Sequence, residues 1–151
     1  MTPEEFRRWE AASRDTVDFK RTYAHLAGDV LAGLHLSQII YWFLPDRRGQ
    51  SKLSVTYNGE ECLVKAREEW FEEICLTGRQ IDRTTALLTK MGIIKVEIHR
   101  FFGVPKPHIF VQWNRLMELL DKVVNEGWSN FTLADGTPRT HETVKTTSPA
   151  R

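Results

Sequence analysis

The stretch LTGRQIDRTTALLTKMGIIKVEIHR, residues 76–100, sets a polar turn, a helical pattern and a β-prone run in immediate succession. Thr77 is placed to cap a helix running from Arg79 to Met91. Gly92 ends that helix in the left-handed conformation that a residue without Cβ adopts freely. At about 100° per residue, Ile81, Thr84, Leu88 and Met91 gather on one side, which a core must cover. On the opposite side Arg79, Arg83, Ala86 and Lys90 recur at i, i+4, i+7 and i+11. Ile93–Arg100 then reads as a strand.

Upstream, AREEWFEEICL reads as a short helix. Trp70, Phe71 and Ile74 fall on one side, and Glu68, Glu69, Glu72 and Glu73 on the other. Downstream, FFGVPKP makes a turn and His108–Trp113 a returning strand. Further back, Leu53–Tyr57 and Cys62–Val64 are β-prone, and the Asn58-Gly59 pair between them favours a two-residue hairpin turn. Tyr23 to Leu44 reads as one largely buried helix, with Leu26, Val30, Leu34 and Gln38 at four-residue steps and Pro45 as its stop. At the N-terminus Thr2, Pro3 and Glu5 form a helix start with a capping box. Phe6 and Trp9 give that helix an apolar side, expected to dock on the protein's own core. WNRLMELLDKVVNEG is a last amphipathic helix closed by Gly127, and the Thr/Ser/Pro-rich stretch after it reads as disordered.

The order helix, strand, helix, turn, helix, strand, turn, strand, helix describes a mainly helical α+β protein. A helix-turn-helix followed by a two-stranded hairpin is the winged-helix arrangement. The expected organisation is an N-terminal helical extension over 1–21, a winged-helix domain with a C-terminal helix over 22–127, and a tail over 128–151.

Composition narrows the function. The chain has 151 residues, 41% hydrophobic and 27% charged, the balance of one soluble globular domain. Its longest apolar run is broken by His35, Ser37 and Gln38 and falls short of the roughly 20 residues that span a bilayer. No apolar leader opens the chain, so a cytoplasmic protein without membrane contact is expected, and the NFT acceptor at Asn130 carries no weight. Cys62 and Cys75 have apolar neighbours and read as two buried free thiols. The histidines at 25, 35, 99, 108 and 141 do not recur at metal-ligand spacings, although His99 and His108 could face each other across the hairpin. With no phosphate-cradling glycine loop either, no enzyme, cofactor or metal is expected.

Charge points to nucleic acid locally, not globally. The net charge is +1, yet from Leu76 to Lys106 six basic residues against two acidic ones give +4. Arginine can donate a bidentate pair to guanine and glutamine can pair with adenine, so Arg79, Gln80 and Arg83 suit major-groove readout. Ala86 would let the backbone approach closely, Lys90 extends the row, and Arg100 and Lys106 flank the hairpin tip where phosphates would lie. The competing reading is a protein-docking module that uses the acidic face of Glu68, Glu69, Glu72 and Glu73, or the Phe6/Trp9 helix.

LHLSQIIYWF and CLVKAREEWFEEICLTGRQIDRTTALLTKMGIIKVEIHRFFGVPKPHIFV resemble the winged-helix domain of phage and plasmid replication-initiation proteins. The shared elements are the LSQIIYW helix end, a W-x-E-E-x-x-L-T-x-R-Q helix-turn-helix core, an L-x-x-M-G-I-I boundary and a proline-containing wing. The resemblance spans roughly Tyr23 to Leu120. It implies binding to double-stranded DNA at an origin or operator, often as a dimer, in replication initiation or transcription control. It places Arg79, Gln80, Arg83 and Lys90 on the recognition helix and Arg100 and Lys106 on the wing. It also implies a protein partner in the replication or transcription machinery.

Overall fold

Gly28 takes a left-handed conformation (φ 70°) and the Asp29 carboxylate accepts from the Ala32 N–H, so the long apolar run is two helices, not one. The computed structural model describes residues 1–126 and gives α1 (Pro3–Ala12), α2 (Arg21–Ala27) and α3 (Val30–Phe43) in the first third. A helix cannot pass through a left-handed residue, and Asp29 supplies the acceptor that the next helix start needs. Gly33 of α3 faces Ala24 so closely that a Cβ would stand 2.4 Å from the Ala24 Cα. That contact sets the α2–α3 corner.

Then come β1 (Val55–Tyr57), β2 (Glu60–Val64), a 3₁₀ turn (Arg67–Glu69), α4 (Trp70–Ile74), α5 (Gly78–Lys90), β3 (Ile94–Phe101), β4 (Val104–Val111) and α6 (Trp113–Asn125). The four strands form one antiparallel sheet in the order β1-β2-β4-β3. About half of the described residues are helical, so the protein is α+β. None of its helices is long and apolar enough to cross a membrane, among the described residues. Gly127, Asn130, His141 and the tail lie outside the described residues.

The core forms where α3, α4, α5 and α6 meet one face of the sheet. Leu36, Ile39, Trp70, Leu88, Ile93, Ile94 and Leu116 are all but fully buried there. Each buried leucine or isoleucine contributes about 1.5–3 kcal/mol relative to exposure. The buried side of α5 is Ile81, Thr84 and Leu88, as its spacing requires.

Several expectations are corrected. The α1 capping box forms as expected, but no residue of α1 is buried. Phe6 and Trp9 are 47% and 49% exposed, with their rings against each other. The irregular stretch Ser13–Lys20 is fastened to α3 by its last residue, the Lys20 N–H donating to Ser37, and α1 lies beyond that anchor. Phe71 is exposed because α4 has only five residues, and Trp70 and Ile74 take its buried row. Cys62 is buried but Cys75 is exposed, since it sits in the left-handed position (φ 62°) that ends α4. The β3–β4 turn is only Phe102-Gly103, and both prolines of FFGVPKP lie inside β4. The Lys65 N–H donates to the Pro107 carbonyl, so Pro107 and Pro105 direct their missing N–H groups away from β3 and the ladder loses nothing there. Trp113 opens α6 and does not close the strand.

Candidate nucleic-acid interface

The start of α5 is doubly fixed. The Thr77 hydroxyl accepts from the Gln80 N–H, while the Gln80 side-chain oxygen accepts from the Thr77 N–H at 2.8 Å. This capping box occupies the amide that the sequence assigns to base readout. Arg67 reaches over from the 3₁₀ turn and donates twice to Asp82, at 3.0 and 2.7 Å, and once to Glu68. The paired guanidinium holds the Asp82 carboxyl below its ordinary range, and Asp82 and Glu68 raise Arg67 in return. Gly78 lies directly beneath this clasp, and a Cβ there would stand 2.7 Å from the Arg67 guanidinium, so a larger residue would shift the arginine.

The outer face of α5 presents Arg79, Arg83, Ala86 and Lys90, all exposed. Arg83 is engaged: its two terminal nitrogens donate to the Asp29 carboxylate at 3.1 and 3.2 Å. That contact, first among the causes, lowers the Asp29 pKa, and the Ala32 N–H adds to it. Arg79 and Lys90 have no ion-pair partner among the described residues. They lie eleven residues apart, about 16 Å along a helix rising 1.5 Å per residue.

Beside α5 runs the β3–β4 hairpin. A groove of about 480 Å³ separates them, lined by Asp82, Thr85 and Ala86 from the helix and Val96, Pro105 and Pro107 from the strands. Ala86 therefore opens onto a real recess. The hairpin cations are less free than their positions in the sequence imply. The Arg100 guanidinium donates to the Gly103 carbonyl at 2.8 Å, and the Lys106 ammonium lies 3.5 Å from the Glu69 carboxylate.

The acidic segment in front of α5 is largely neutralised from within. Glu68 pairs with Arg67, and Glu69 with Lys106. Glu73 turns inward, where its carboxylate accepts from Gln38 and Trp42, both at 2.9 Å, and pairs with Lys65. Burial opposes ionisation of Glu73, but these donors together hold its pKa below the ordinary value. Glu72 alone of the four is exposed without an ion pair among the described residues. The outward acidic face expected from the helical spacing is thus reduced to one residue, because Glu73 falls toward α3 once the 3₁₀ turn shifts the register.

On the opposite face of the hairpin the His99 and His108 rings meet edge to face at 5.0 Å, as their strand positions allow. Tyr57 stacks on His99, which also bonds to Glu97. No group of three or more His, Cys, Asp or Glu among the described residues could hold a metal ion.

Two contributors escaped the sequence reading. Asp29, partner of Arg83, carries a local signal: Gly-Asp inside an apolar run marks one helix end and the next helix start. Arg67 carries none, since its link to Asp82 joins residues fifteen apart across a turn. The chain matches no protein-family model, no curated protein and no solved structure.

Proposed function

We propose that the chain is a winged-helix protein that binds double-stranded DNA, with α5 in the major groove and the β3–β4 hairpin as the wing. The observation that carries this reading is the pair of unengaged cations, Arg79 and Lys90, on either side of small, exposed Ala86, which itself lines the groove. A helix that meets phosphates at both ends and brings its backbone near the bases needs that pattern. The order α3, β2, α4, α5, β3, β4, with β2 hydrogen-bonded to β4, supports a winged-helix module. The internal pairing of Glu68, Glu69 and Glu73 supports it too, because it removes the charge that would repel a duplex. From the resemblance to phage and plasmid initiators, the role proposed is replication initiation or transcription control in a mobile element.

A titration of a labelled duplex followed by fluorescence anisotropy tests this. With ~4 to 6 phosphate contacts, the association constant falls steeply as salt rises from about 50 to 200 mM. A folded protein that binds no duplex at low salt overturns the reading.

A second reading, a protein-docking module, is favoured by one observation: Phe6 and Trp9 stand exposed on a helix with no buried residue. Replacing both by alanine and comparing oligomeric state and DNA affinity separates the two roles. The docking role requires a changed assembly with unchanged DNA affinity.

A further inference from the structure

Two tight turns of the sheet share the same pair of positive φ angles and carry different residues. Between β1 and β2 the left-handed pair is Asn58 and Gly59, with φ of 52° and 81°. Between β3 and β4 it is Phe102 and Gly103, with φ of 50° and 81°. Asparagine suits this conformation, whereas a bulky aromatic residue there is an outlier. Phe102 is also 91% exposed, the most exposed large apolar residue among those described. Neither backbone preference nor solvation explains a phenylalanine at this apex. Contact with a ligand does.

The surroundings define what the ligand offers. Residues 101–104 carry no charge, and Phe101 braces Phe102 edge to face at 4.6 Å. Arg100 is fastened to the apex by its bond to the Gly103 carbonyl and has no carboxylate partner among the described residues. The last backbone bond to the β2 side is at Pro107, and three residue pairs lie beyond it, from His99–Lys106 to Phe101–Val104. At roughly 3.3 Å per residue that ribbon is about 10 Å long. Its inner face, at Pro105 and Pro107, shares the groove with Thr85 and Ala86 of α5. A flat aromatic with a cation at its base fits the gap between stacked bases next to a phosphate. The minor groove is roughly 7.5 Å deep, within the ribbon's reach.

We propose that Phe102 is a wedge that enters a base step of duplex DNA from the minor groove and partly unstacks it, with Arg100 on the adjoining phosphate. The inference rests on the DNA-binding reading of α5 and adds a deformation of the duplex to it. A wedge of this kind unwinds the helix, and unwinding can be read without knowing the target sequence.

The test is relaxation of a closed circular plasmid by topoisomerase I with increasing full-length protein, alongside gel retardation of the same plasmid. The wild-type protein is expected to shift the linking number in proportion to the amount bound. Phe102→Asn gives the turn the residue used at Asn58, so it is expected to fold with an undiminished melting temperature and still retard the plasmid. At matched occupancy its linking-number shift is expected to be lost, while Phe102→Trp keeps it. Wild-type protein that retards the plasmid without changing its linking number overturns the wedge. So does a full shift from Phe102→Asn at equal occupancy. If the plasmid result is negative and the protein instead sediments with phosphatidylserine vesicles through Phe102, the tip is a lipid-docking element and the proposal fails. Folded wild-type protein that does not retard the plasmid at low salt sinks the DNA-binding reading itself, which separates the two failures.

Discussion

His35 of α3 and Thr84 of α5 meet in the core, with the imidazole Nδ1 2.8 Å from the threonine Oγ1. The Thr84 hydroxyl also lies 3.0 Å from the Gln80 carbonyl, and when it donates there its oxygen accepts from His35 Nδ1–H. Nε2 is then a bare nitrogen with no partner, and the ring lies edge-on to Trp70 at 4.5 Å. Burial pushes the His35 pKa from 6.5 down to about 4. The folded state therefore holds this ring neutral where the unfolded chain would protonate it. Its stabilising contribution is complete above pH 6.5 and is lost as the pH falls from there to 4. Between pH 7.5 and 5 the loss is about 2 kcal/mol, at 1.36 kcal/mol per pKa unit. The carboxylates with lowered pKa, such as Asp29 and Glu73, lose their contributions only below their ordinary range near 4. Urea unfolding at the two pH values is expected to show the difference in wild-type protein and a flattened difference in His35→Gln. An equal drop in both would clear His35 of the effect.

Gly33→Ala places a methyl group 2.4 Å from the Ala24 Cα and 2.5 Å from its nitrogen, both backbone atoms that cannot swing aside. The α2–α3 corner must open, at a cost of about 1–3 kcal/mol. Thermal unfolding is the measurement. A variant as stable as wild type would mean that α2 can move without cost.

Glu73 holds Lys65, Gln38 and Trp42 at one point where α3, α4 and β2 come together. Lys65 is only 10% exposed at its side chain, so Glu73→Ala leaves a nearly buried ammonium without its carboxylate. The pair borders solvent, which places the loss at about 2 kcal/mol, below that of a fully enclosed pair. Glu73→Gln keeps an acceptor for Trp42 and is expected to lose less. Equal destabilisation of the two variants in chemical unfolding would show that the charge, not the hydrogen bonding, dominates.

Local signals explain which of these features can be read from residues alone. The Thr77 cap, Gly92, the buried row of α5 and the Asn58-Gly59 turn each depend on neighbours within a helical turn or a hairpin. They stand where the spacing put them. The ends of β3 and β4 shifted because prolines in FFGVPKP suggested a long turn, and only the pairing with Lys65 shows that their missing N–H groups point away from β3. The break at Gly28-Asp29 was written locally but was outweighed by the apolar run around it. Arg83 with Asp29, fifty-four residues apart, and Glu73 with Gln38, thirty-five apart, are tertiary choices that no periodicity encodes. The same holds for the candidate site. Its helix was legible, while the engagement of Gln80, Arg83, Arg100 and Lys106 was not.

That difference ranks the cations of α5. Arg79 and Lys90 can reach a duplex without breaking a bond, whereas Arg83 must first leave Asp29. The salt dependence of duplex binding in wild type and in Arg79→Ala/Lys90→Ala tests the DNA-binding role of α5 most directly. Removing one phosphate-binding cation lowers the slope of log affinity against log salt by about 0.9. Tight, salt-sensitive binding is expected of the wild type, and a weaker, flatter dependence of the double variant. Binding with the same affinity and the same slope in both proteins would contradict that role.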